Sequence, residues 1–101
     1  YTKAIFLFGS ILRKGKEARD VDVCIILKKS KDYKLLQGMI KEMNVQNRLK
    51  IEPLYLTEKD FEKKLIEKDK SLIELVKSCT IVYGNEVFVE VMKNVQIKQS
   101  S

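Results

Sequence analysis

The stretch LFGSILRKGKEARDVDVCIIL, Leu7 to Leu27, decides how the chain is read. An apolar run, Ile5 to Phe8, stops at Gly9-Ser10, a basic loop follows, and a second apolar run begins at Val21. Runs this short and this rich in β-branched and aromatic residues are strands. Asp20 and Asp22 stand where the second strand begins. In a strand, residues i and i+2 share a face, so both carboxylates point one way while Val21 and Val23 point the other. Like charges held that close repel unless a cation lies between them, and a divalent metal is the usual remedy. Magnesium suits such a pair because it takes a few carboxylates, keeps waters and completes its octahedron with phosphate oxygens. Gly9, with no Cβ, lets backbone N–H groups approach a phosphate, and Ser10 adds a hydroxyl donor. An ordinary turn followed by two solvated acids is the plainer alternative. The two elements together, each at the edge of an apolar strand, favour a nucleotide and metal site.

In these residues the chain resembles the nucleotidyltransferase superfamily typified by DNA polymerase beta, and in particular its minimal nucleotidyltransferases. The signature is Gly-Ser after the first strand, a loop, then Asp-x-Asp opening the second strand. It reads here as Gly9-Ser10, Ile11 to Arg19, and Asp20-Val21-Asp22. The loop is one residue shorter than the commonest form, and Ile11 stands where many members carry Arg, whereas Arg13 matches. The resemblance implies a third carboxylate on the strand that follows the next helix, and Glu52 is the acid at that place, where the family more often uses Asp. Its implied roles are Asp20, Asp22 and Glu52 as catalytic residues and ligands of two magnesium ions. Gly9 and Ser10 are expected to bind the nucleotide, taken as ATP by the same analogy. Of the loop cations that join them to the acids, most are simply solvated, and Arg13 and Lys14 are expected to reach its phosphates.

The remainder of the chain reads as a supporting scaffold. Leu36, Met39, Ile40 and Met43 recur at helical spacing, which predicts a helix over about Asp32 to Val45, with Ser30 as its N-cap and one apolar stripe on the sheet. Leu49 to Leu56 reads as a third strand, and Pro53, lacking an N–H, implies an edge strand or one that begins irregularly. On that strand Glu52 shares a face with Leu54 and Leu56, which argues against a simple solvent-facing acid. Thr57 to Asp60 has the form of a helix start, and Ser71 to Glu74 repeats the capping-box pattern. The charged run Glu67 to Lys70 separates two helices. Thr80 to Tyr83 reads as a short final strand. From Asn85 the run Val87, Phe88, Val89, Val91 argues for a strand by composition, whereas the preceding Gly-Asn and the resemblance argue for a terminal helix, the favoured reading, with Gln96 to Ser101 frayed. Strands alternating with helices indicate an α/β fold, a mixed β-sheet of three to four strands with helices packed on it.

The chain has 101 residues, 45% of them hydrophobic and 34% charged, enough for a single domain over residues 1–101 with one modest core. The first residue is not Met, so a segment packing on the sheet is expected to precede Tyr1. Two cysteines, Cys24 and Cys79, without metal-ligand spacing, and no histidine, argue against zinc and histidine acid–base chemistry. Cys24, in an apolar strand, reads as a buried thiol in a reducing cytoplasm. No run approaches membrane-spanning length.

A net charge of +6 favours polyanionic partners, nucleoside triphosphates and nucleic acids alike. The basic residues are dispersed among acids and form no recognisable reading helix, so a nucleic-acid-binding domain is the less favoured alternative. Nothing in these residues reads as a second domain for an acceptor, which is then expected to be small or supplied by another chain. The resemblance points to a helical HEPN partner in a toxin–antitoxin pair, with this chain as antitoxin adenylylating a tyrosine of that partner. A non-catalytic interaction module with the same fold is the third reading.

Overall fold

A computed structural model describes residues 2–9, 20–47 and 50–100, the side chains of 98–100 excepted. Two strands open the chain, β1 (Thr2–Phe8) and β2 (Asp20–Leu27), followed by a 3-10 turn over Ser30–Asp32 and helix α1 (Tyr33–Gln46). Strand β3 (Lys50–Thr57) leads to helices α2 (Glu58–Ile66) and α3 (Lys70–Ser78), then strand β4 (Thr80–Tyr83) and helix α4 (Asn85–Ser100). The strands form one sheet in the order β3-β2-β1-β4. Strand β1 is antiparallel to both β2 and β4, whereas β3 runs parallel to β2. This is the mixed α/β architecture that the alternation of elements implies.

Period-2 alternation in β1 and β2 makes two faces. Ala4, Phe6, Cys24 and Ile26 point to one side, where with Leu56 they meet Phe61, Leu65, Leu72, Leu75, Val91 and Val95 from α2, α3 and α4. Phe6 is fully buried, its ring 5.6 Å from that of Phe61 and 5.5 Å, edge-on, from that of Phe88. Cys24 is buried in this layer, and desolvation pushes its thiol up to about 12, so it is inert at neutral pH. On the other face Val23, Ile25 and Leu27 pack with Leu36 and Ile40 of α1 and with Ile51 and Tyr55 of β3. Tyr33 closes edge-on against Tyr55 at 4.8 Å.

Helix α1 departs from the predicted stripe. Leu36 and Ile40 reach the sheet, but Met39 and Met43 are 51% and 47% exposed, and no residue of the helix is fully buried. The helix covers only part of this face. An open apolar groove of about 590 Å³ remains, lined by Ile5, Leu7, Val21, Met43 and Val82 among others. Ser30 does not cap α1. It lies inside the 3-10 turn that precedes the helix, and neither Lys29 nor Asp32 contributes a side-chain cap.

The caps of the next two helices explain their places. Thr57 accepts from the Asp60 N–H at 3.2 Å while the Asp60 carboxylate accepts from the Thr57 N–H, a reciprocal capping box. Helix α2 ends with Lys68 in the left-handed region at φ 61, its N–H donating to Leu65 O and that of Asp69 to Lys64 O. This paired reversal leaves Asp69 outside α2, so Asp69, accepting from the Leu72 N–H at 3.1 Å, caps α3. The predicted cap, Ser71, therefore lies within the helix. Strand β4 takes the sheet edge beside β1, and the segment from Asn85 is helical through Ser100, beyond the point where fraying is expected from sequence.

These packing differences set the order of expected stability losses. Phe61→Ala lowers unfolding free energy by about 3–5 kcal/mol, Thr57→Ala by about 1 kcal/mol, and Met39→Ala by less than about 0.5 kcal/mol in urea titrations. A Met39 effect as large as that of Phe61 would place α1 in the core and contradict the observed exposure.

Candidate active site

The sheet topology brings one end of three strands together. Because β1 and β2 are antiparallel, the end of β1 lies beside the start of β2, with Phe8 opposite Asp22. Because β2 and β3 are parallel, their starts also lie side by side, with Asp22 opposite Glu52 and Asp20 opposite Lys50. Cross-strand partners in a parallel pair point to the same face, at a strand spacing of roughly 4.8 Å. Asp20, Asp22 and Glu52 therefore share the face that carries Cys24, Ile26 and Leu56, at the end where the helical layer gives way to solvent.

Gly9 closes the arrangement from the other side. Its φ of +78 lies in the left-handed region, and a Cβ there would overlap Asp22 Oδ2 and lie 2.9 Å from Asp22 Cγ. The Asp22 carboxylate is thus laid against the Gly9 backbone, which only a residue without a side chain permits. Ser10, Arg13 and Lys14, the other nucleotide-binding residues read from sequence, lie outside the described residues.

Burial falls off across the three acids. Asp20 and Asp22 are half-buried, whereas Glu52 is exposed, and Leu54 beside it is 39% exposed. The expectation that sharing a face with Leu54 and Leu56 keeps Glu52 from facing solvent is accordingly corrected, since on this face of the edge strand β3 only Leu56 reaches the core. None of the three carboxylates forms an ion pair or side-chain hydrogen bond with a described residue. Lys50, opposite Asp20, does not neutralise it, because its ammonium is turned to the carbonyls of Asn44 and Asn47 at the end of α1. Among the described residues no group of three or more His, Cys, Asp or Glu side chains is gathered closely enough to hold a metal ion. The acids share a face and a register without closing on one point. As a donor set they fit a hard divalent cation in kind, being carboxylate oxygens unclaimed by any described cation.

Sequence reasoning passed over Asn44 and Lys50. Asn44 donates from Nδ2 to Ile51 O at 2.9 Å and accepts at Oδ1 from the Ile51 N–H at 2.8 Å. In the sequence Asn44 is one polar residue on an amphipathic helix, and nothing in its spacing marks it. No described helix is long and apolar enough to cross a membrane.

Comparison with known proteins gives a match to a family model described as "Nucleotidyltransferase domain" over residues 1–93. Neither the curated proteins nor the solved structures compared with the chain yield a significant match.

The contact between Gly9 and Asp22 sets a clear contrast between two glycines. Gly9→Ala is expected to cost about 1–2 kcal/mol for its left-handed backbone alone, more with the carboxylate displaced. Gly38→Ala, in α1 with nothing within 4 Å of the added Cβ, is expected to raise stability by about 0.5–1 kcal/mol. Thermal or urea unfolding of the two variants checks the pair, and equal effects would contradict the described turn.

Proposed function

Because the chain belongs to the nucleotidyltransferase domain family, whose general chemistry is nucleotidyl transfer, we propose that it moves AMP from ATP to a hydroxyl acceptor and releases pyrophosphate. The observation that carries the reading is the register at Asp22, which has Glu52 opposite it on β3 and its carboxylate against the Gly9 backbone. Asp20, Asp22 and Glu52 are the residues that would hold two magnesium ions. Bound there, the ions supply charge neutralisation of the triphosphate and a lowered pKa for the attacking hydroxyl.

The chain's own groups then have distinct tasks. The backbone at Gly9, with Ser10, Arg13 and Lys14, holds the β- and γ-phosphates so that the α-phosphorus stays in line with the acceptor. The acceptor oxygen forms a bond to the α-phosphorus as the bond to the bridging oxygen of pyrophosphate breaks. Glu52, the exposed member of the three, takes the hydroxyl proton. The exposure of Glu52 and Leu54 leaves the acceptor side of the site open, as a protein acceptor requires. In line with the minimal nucleotidyltransferase resemblance, the proposed acceptor is a tyrosine of a helical HEPN-type partner, with the pair acting as toxin and antitoxin in the cytoplasm.

A second reading, a non-catalytic interaction module, is favoured by one observation: the three carboxylates are not gathered as a metal-holding group. The two readings separate in a labelling experiment with Mg²⁺, α-labelled ATP and the product of the neighbouring gene. The proposal expects label on the partner protein and a fall of more than about 100-fold with Asp22→Asn, beyond the roughly 10–100-fold typical of losing an outer-shell group. No transfer to any acceptor, with partner binding intact in Asp22→Asn, would contradict the enzyme and support the module.

A further inference from the structure

Strand β3 is at the sheet edge, where a strand start is ordinarily free to fray. Its start is nevertheless tied on the open side. The N–H and carbonyl of Ile51 both engage the Asn44 side-chain amide, which supplies the two hydrogen bonds that a neighbouring strand would otherwise make. Parallel strands direct the N–H and C=O of alternate residues to the same side, so Lys50 and Glu52 keep theirs for β2 while Ile51 turns outward to Asn44. Pro53 has its nitrogen on that same outer side and forfeits no bond to β2.

A second tie runs the opposite way. The last carbonyls of a helix have no partner within it, and α1 has no basic residue in its final turn. The Lys50 ammonium fills that place from β3, donating to Asn47 O at 2.7 Å and to Asn44 O. A cation at a helix C-terminus is favoured by the helix dipole. One residue of α1 thus binds β3 through its side chain, while a residue of β3 binds the end of α1 through its own. The two bracket Ile51, the residue immediately before Glu52.

We infer that this reciprocal clasp between Asn44 and Lys50 is the positioning device for Glu52, holding the exposed edge carboxylate in register with Asp22 so that the two can share a divalent cation. The inference rests on the carboxylate reading above and adds the residues that make an edge strand serviceable as part of it. Asn44 and Lys50 touch neither substrate nor reacting atoms in this account. They act through the backbone of β3.

The test is a double-mutant cycle read by Mn²⁺ titration of the whole protein, with the metal alone as probe and amide hydrogen exchange at Ile51 and Glu52 as a second readout. Asn44→Ala and Glu52→Gln are each expected to weaken Mn²⁺ binding about 10-fold. The double variant should bind no more than about threefold weaker than Glu52→Gln alone, because the clasp acts only through that carboxylate. Asn44→Ala should also speed exchange at Ile51 and Glu52. Should Asn44→Ala not fold, Lys50→Met, which spares both bonds to Ile51, takes its place with the same expectations. Wild-type Mn²⁺ affinity in the clasp variant, or losses that simply multiply in the double variant, would overturn the positioning role while leaving the carboxylate site standing. Unchanged affinity in Glu52→Gln would overturn both, because no shared cation would then depend on Glu52.

Discussion

At Asp22 the chain is held from two sides, and the rest of the architecture serves that position. The antiparallel pairing of β1 with β2 sets Phe8 across from it and lays the Gly9 backbone against its carboxylate. The parallel pairing of β2 with β3 sets Glu52 across from it on the other side. A slip of one residue in either ladder would turn every side chain of a strand to the opposite face, so the register is an all-or-none condition. In the observed register Phe6, Cys24 and Ile26 lie in the helical layer, and Val23, Ile25 and Leu27 on the face that meets α1.

The two faces of the sheet are unequal, and the inequality has consequences for the site. One face is sealed by three helices around Phe6, Phe61 and Phe88, giving the ends of β1 and β2 a rigid floor. The other is only partly covered, because α1 contributes Leu36 and Ile40 but leaves Met39 and Met43 outside. Helix α1 is therefore fastened by polar ties at its end as well as by its apolar stripe, Asn44 and Lys50 joining it to β3. The element that looks most amphipathic in sequence thus holds an edge strand in place as much as it covers the core.

Much of this was legible in the sequence for identifiable physical reasons. Gly9 and the Asp20, Asp22 pair announce themselves because each interrupts or opens an apolar strand, and strand periodicity puts both acids on one face. Glu52 was placed only through resemblance to a known family, since its partnership with Asp22 depends on strand order, which one-dimensional patterning does not contain. Ser71, with Glu74 three residues on, matches the capping box better than Asp69 does, yet Asp69 is the cap because the left-handed turn at Lys68 releases it first. Met39 and Met43 fall on the predicted stripe but stay outside the core, because α1 covers only part of its sheet face and leaves an apolar groove open beside Met43. The clasp left no trace in the pattern at all, because it consists of backbone groups of one element meeting side chains of another.

The proposal on which the rest depends is that Asp20, Asp22 and Glu52, spread over two strands, hold divalent cations between them. Anomalous diffraction from crystals grown with Mn²⁺ and a non-hydrolysable ATP analogue tests it most directly. The account predicts an anomalous peak within coordination distance of Asp22 and of at least one of Asp20 and Glu52, with the triphosphate completing the shell. Manganese bound only elsewhere, or a nucleotide seated away from Gly9 with the three carboxylates still apart, would contradict it.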